Sequence, residues 1–168
     1  MADGCTIADV NALDEAAFVG RFGHVYECTP ALAAAAWSRR PFADRDALVA
    51  AFVEVARALD DDAVLALLRA HPALAVDATM ADASRREQRG AGLTVAGDPV
   101  VDEIRAGNAR YEARFGFPFI VAVRGLTSQG IADAMARRLD NVPGHERAVA
   151  LEQVTRIAGF RLEEMVEA

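Results

Sequence analysis

"FPFIVAV", residues 117 to 123, is the one stretch of this chain with the length and β-branched content of a strand. A single strand cannot satisfy its own hydrogen-bond ladder, so the segment reads as extended or irregular. What remains is an all-α protein, a single-domain multi-helix bundle over residues 1–168 with its core from about 11 to 166.

The flanks of that stretch agree. Before it, Asp98 and Pro99 start a long helix with Val101, Ile104, Asn108, Tyr111 and Phe115 on one face and Gly116 as its C-terminal cap. After it, Ser128 caps a helix carrying Ile131, Met135 and Leu139, and the turn NVPG closes it. Val149, Leu151, Val154, Ala158, Leu162 and Met165 then make a long final helix.

Toward the N-terminus, Asn11 caps a short helix that ends near Gly20 or Gly23, with Glu15 in its first turn. Thr29 and Pro30 form an N-cap and N1 pair for a helix through Trp37, stopped by Arg40 and Pro41. Asp44 caps a third whose Leu48, Phe52, Val55 and Leu59 build one apolar stripe. A fourth bears Val64, Leu67 and Leu68 and must finish at His71, because Pro72 disfavours helical geometry in the residue before it. Residues 75 to 83 are short, polar and alanine-rich; another helix begins at Ser84 and runs to about Gly92, followed by a loop over 92 to 98.

The chain has 168 residues, 53% of them hydrophobic, but only 7% aromatic, and alanine dominates its apolar share, which suits closely packed helices. A net charge of −7 and a pI near 4.9 argue against a nucleic-acid partner, which needs clustered Lys and Arg. Two cysteines, Cys5 and Cys28, form neither a metal knuckle nor a disulfide framework. The acidic N-terminus lacks the look of an export signal, and no run approaches the ~20 apolar residues that span a bilayer. A cytoplasmic setting without a membrane partner is the expectation.

Searches for chemistry find no phosphate loop, dinucleotide fingerprint, zinc-helix motif or nucleophile elbow. His24, His71 and His145 are too widely spread to hold a metal. Taken singly, His71 is a histidine at a helix C-terminus favoured by the dipole. Ser84 and Glu87 are the S-x-x-E of a capping box, and Arg161 is a solvated helix arginine.

The segments in order read FVGRFGHVYECTP, AAAWSRRPF, LLRAHPALA, SRREQRGAGL, NARYEARFGFPFIVAVRG and ALEQVTRIAGFRLEEMV. From about Phe18 to Val166 the chain closely resembles the 2-oxo-4-hydroxy-4-carboxy-5-ureidoimidazoline (OHCU) decarboxylase family of purine degradation, through its HP-x-L segment, S-x-x-E-Q and FGFPF together. The resemblance implies a helical single domain, no metal or organic cofactor, a small-molecule substrate and a homodimer. It makes His71 the catalytic acid/base, with Glu87 as its catalytic partner. Pro72, Ser84, Arg85, Arg86, Gln88, Phe119, Ile120, Val121, Ala122, Val123 and Arg161 become substrate-binding positions. Two departures stand out: Ala73 replaces an acidic residue common in the family, and the loop between Leu93 and Pro99 is shorter.

The implied reaction fits these residue types. Its substrate has a ring carbon bearing hydroxyl and carboxylate beside a carbon–nitrogen double bond, so the electron sink lies in the substrate itself. Histidine, with an ordinary pKa of about 6.5, suits the proton work. Glu87 would accept hydrogen bonds, Ser84 would direct one, and Arg161 would bind the anionic or carbonyl end. Two alternatives stand beside this reading: a non-enzymatic helical interaction module in which the motifs are only caps, and a decarboxylase of the same fold acting on a related ureido or imidazoline acid.

Overall fold

Side-chain oxygens start most of the helices. Asp14 accepts from the backbone N–H of Ala17, Asp44 from Ala47, Asp98 from Val100 and Thr127 from Gly130. The computed structural model describes residues 5–75, 82–94 and 97–168. Among them are nine helices: α1 (Ile7–Ala12), α2 (Glu15–Phe22), α3 (Pro30–Trp37), α4 (Arg45–Arg57), α5 (Asp61–Ala70), α6 (Asp82–Gly90), α7 (Pro99–Phe115), α8 (Ser128–Arg138) and α9 (Pro143–Met165). No strand occurs among the described residues; the one β-type pairing is an isolated parallel bridge between Cys5 and Val166. The protein is all-α.

Several boundaries differ from the sequence reading, each for a local reason. Asn11 does not cap α2. It lies in α1, an element the sequence reading passed over, and its amide brackets Phe42, donating to the carbonyl at 2.8 Å and accepting from the N–H at 2.9 Å. Asp14 is the cap instead. Thr29 precedes α3, but its hydroxyl donates to the Glu27 carbonyl and caps nothing. Ser128 is the first residue of α8, with Thr127 as cap, and α9 begins at Pro143 because the NVPG turn supplies a proline suited to a first helical turn. Ser84 lies inside α6, two residues after Asp82, so the S-x-x-E pattern is not a capping box. The readings of 75 to 83 and of the loop over 92 to 98 fall largely or partly outside the described residues.

The chain divides into two units, Met1–Leu67 with Thr155–Ala168, and Leu68–Val154. The first is centred on an aromatic cluster in which Phe18 meets Phe22 at 4.8 Å and Phe52 at 6.2 Å between ring centroids. Tyr26 adds its ring and donates to the Phe52 carbonyl at 2.8 Å. Trp37 lies under the Arg40 guanidinium at 4.1 Å, and both side chains donate to the Leu13 carbonyl that ends α1.

The second unit packs α7 against α8. Val101, Ile104 and Tyr111 from α7 and Ile131 and Met135 from α8 are buried. The close approach depends on Gly107: a Cβ built there would lie 2.3 Å from Met135 Sδ. Residues 118–123 belong to no helix or strand, in line with the reading of this stretch as extended or irregular, and side chains stand in for the missing ladder. Arg138 donates to the Ile120 carbonyl at 2.6 Å, and the Ala122 N–H donates to Gln153 Oε1 at 3.0 Å.

Candidate functional site

His71 follows the last residue of α5, its N–H donating to the Leu68 carbonyl at 3.3 Å, and it is only 7% exposed. Proline at 72 accounts for the stop, since the helix cannot include the residue before it without a clash. The imidazole therefore ends a helix, as the dipole argument expects, yet is buried as few surface caps are.

α6 supplies the next group. Residues four apart share a helix face, and Ser84 and Gln88 are both buried, with Glu87 half-buried beside them. Arg85 and Arg86 fall on the exposed side. Arg85 pairs there with Asp82 at 2.6 Å, and that hydrogen bond holds the Asp82 carboxyl below the usual carboxylate range.

The structure joins α6 to the turn beyond His71. Gln88 accepts from the Ala75 N–H at 2.9 Å and donates to the Ala73 carbonyl at 3.3 Å. From α7, Asn108 donates to the Leu74 carbonyl at 2.7 Å, and Arg105 donates to the carbonyl of Ala75. Ala75 itself takes a left-handed backbone conformation with φ 57°.

Phe119, Ile120, Val121, Ala122 and Val123 are all buried in the same unit. Behind them lies a buried polar network. Glu146, fully buried, accepts from the Tyr111 hydroxyl, from Asn141 at 2.7 Å and from two nitrogens of Arg138 at 2.8 and 2.5 Å. The Arg138 guanidinium also lies 4.6 Å from the centre of the Phe119 ring. Burial, and then the hydrogen bond to Glu146, push the Tyr111 phenol far above its ordinary pKa.

Arg161 belongs to the first unit, where it is 4% exposed rather than solvated. Its guanidinium donates to the Val25 carbonyl at 3.1 Å and pairs with buried Glu27 at 3.4 Å. Glu27 escaped the sequence reading, as did Arg105, Arg138, Glu146 and Gln153 as holders of backbone or charge. Asn108 gave the one available signal: an amide on an otherwise apolar helix face must find a partner inside. No group of three or more potential metal-ligating side chains occurs among the described residues.

A model of the family described as OHCU decarboxylase matches residues 11–163. The OHCU decarboxylase of Haloferax volcanii is 40% identical over 95% of this chain and 95% of its own, and that of Amia calva is 38% identical over 94% and 93%. Among solved structures, a crystal structure of (S)-allantoin synthase superposes with a TM-score of 0.75 at 28% identity. The likeness covers 96% of this chain, which spans 54% of that longer one.

Proposed function

The chain belongs to the OHCU decarboxylase family, and from that premise we propose how its residues carry out the reaction. The activity is decarboxylation of 2-oxo-4-hydroxy-4-carboxy-5-ureidoimidazoline to (S)-allantoin in urate degradation, a carboxy-lyase reaction. The bond from the ring carbon to its carboxylate breaks, carbon dioxide leaves, and the electron pair moves into the adjacent imine, whose nitrogen takes a proton from solvent. A proton delivered to one face of the ring sets the (S) configuration, and the hydroxyl loses its proton as the carbonyl forms.

His71 is the acid/base in this proposal. The observation that carries it is a buried imidazole at a helix end, followed by a turn that the buried Gln88 of α6 holds by two hydrogen bonds. Glu87 and Ser84, on the same side of α6, orient the hydroxyl and ureido groups, and the backbone of Phe119–Val123 lines the ring. Arg85 and Arg86 share the binding segment, but helical geometry leaves contact with substrate to Ser84, Glu87 and Gln88. Pro72 fixes the turn at the imidazole. For Arg161, in the first unit, the resemblance alone carries the proposal that it binds the anionic or carbonyl end; within its own unit, burial beside Glu27 fixes the direction of the guanidinium.

The test uses freshly generated substrate, followed by ultraviolet absorbance and by circular dichroism for the enantiomer formed. His71→Ala is expected to lose about 10²- to 10⁴-fold in turnover with its helical signal intact. Formation of pure (S)-allantoin by that variant at the undiminished rate would remove His71 from the mechanism.

A cytoplasmic location is part of the proposal, supported by the metabolic activity named for the relatives; among the described residues no helix is long and apolar enough to cross a membrane. The family match running through both units supports one functional domain. A homodimer follows from the resemblance, and light scattering on the eluting protein checks it.

A further inference from the structure

We propose that Asn108 is a positioning residue for the reaction, acting with Gln88 and Arg105 to fix the backbone turn that carries His71; this rests on the reading of His71 as the acid/base. Three consecutive residues after Pro72 are held by side chains from two helices of the same unit. Gln88 of α6 takes the Ala73 carbonyl and the Ala75 N–H, Asn108 of α7 takes the Leu74 carbonyl at 2.7 Å, and Arg105 of α7 takes the Ala75 carbonyl. On its other side His71 is tied to α5 through the Leu68 carbonyl. The imidazole thus hangs from a backbone fixed before and after it, with the ring of Pro72 removing one rotation between.

The turn needs such holding. Ala75 sits at φ 57°, a conformation an L-residue with a Cβ adopts at a cost, so the segment left alone would relax toward extended or helical backbone. Of the three holders, Asn108 has the fewest other duties. Gln88 lies in the proposed binding segment, and Arg105 also pairs with Asp102 at 3.0 Å. Asn108 bonds the Leu74 carbonyl, while its buried Oδ1 takes no hydrogen bond from any of the described residues. A displacement of about 1 Å at a reacting group can cost about 10²-fold in rate, which gives this geometry its kinetic weight.

The experiment compares the unsubstituted protein with Asn108→Ala in steady-state kinetics and in histidine ring NMR. Expected are a fall in kcat of at least about tenfold with KM within about threefold, an unchanged helical signal, and a moved His71 ring resonance. His24 and His145, both exposed and the only other histidines, serve as internal references and should stay in place. Should Asn108→Ala not fold, Asn108→Ser, whose hydroxyl falls short of the carbonyl, carries the same expectations. A kcat equal to that of the unsubstituted protein, or a fallen kcat with the His71 resonance unmoved, overturns the inference. His71→Ala run in parallel separates the two readings. Full activity in that variant sinks the catalytic role of His71 whatever Asn108 does, whereas a dead His71→Ala beside a fully active Asn108 variant sinks only the positioning role.

Discussion

Glu87 shares its side of α6 with buried Ser84 and Gln88, and because α6 starts at Asp82 none of the three is needed to cap it. A change confined to charge should therefore separate chemistry from folding. Glu87→Gln keeps the size of this half-buried side chain and is expected to change the free energy of urea unfolding by less than about 1 kcal/mol, while kcat falls by an order of magnitude or more; a large loss of stability alongside the loss of kcat would return Glu87 to a structural role. Glu146 predicts the reverse. It is fully buried against the largely buried Arg138, so Glu146→Ala leaves that guanidinium without its carboxylate and should cost about 3–5 kcal/mol in urea unfolding. At this scale the sequence revealed His71, since proline dictates where the helix stops. It hid Arg161–Glu27, whose partners lie 134 residues apart, and Arg138–Glu146, whose partners are eight apart but sit on two helices joined by a turn, so neither pair has a helical spacing to read.

Helices α4 and α7 were legible because each announces itself twice, by a capping aspartate and by an apolar stripe of helical period. α1 was not: its Thr6 and Asp9 form a reciprocal cap, but a six-residue helix offers too few apolar repeats to stand out. Residues 118–123 read as extended or irregular from the sequence, yet the reason they need no ladder, two side chains replacing a neighbouring strand, required three dimensions. Glycine shows how context decides at this scale. Gly20 of α2 is exposed with nothing within 4 Å of an added methyl, whereas Gly107 of α7 faces the sulfur of Met135. Gly20→Ala should stabilise by about 0.5–1 kcal/mol through helix propensity. The same change at Gly107 should lose about 1 kcal/mol net, crowding of about 1–3 kcal/mol outweighing the propensity gain. Paired thermal melts check the opposite signs.

Each unit holds one tyrosine, and the chain has no others: Tyr26 in the first and Tyr111 in the second. Burial pushes both phenols well above their ordinary range, so both titrate more readily unfolded than folded. A raised folded pKa gives stability that is complete below the unfolded value of about 10 and is lost as pH climbs past it. Tyrosinate absorbance in an alkaline titration should accordingly appear only as helicity disappears, in one step if the two units melt together and in two if they do not. Absorbance rising while helicity persists would contradict the burial of one ring. The two cysteines divide in a similar way. Cys28 is exposed, while Cys5 is buried in the pairing with Val166, where Glu167 donates to its carbonyl at 2.9 Å. A thiol reagent should therefore meet one fast and one slow sulfur. The slow one is a clock for the joined ends of the chain: its labelling rate counts how often the Cys5–Val166 pairing opens, without a probe having to be introduced.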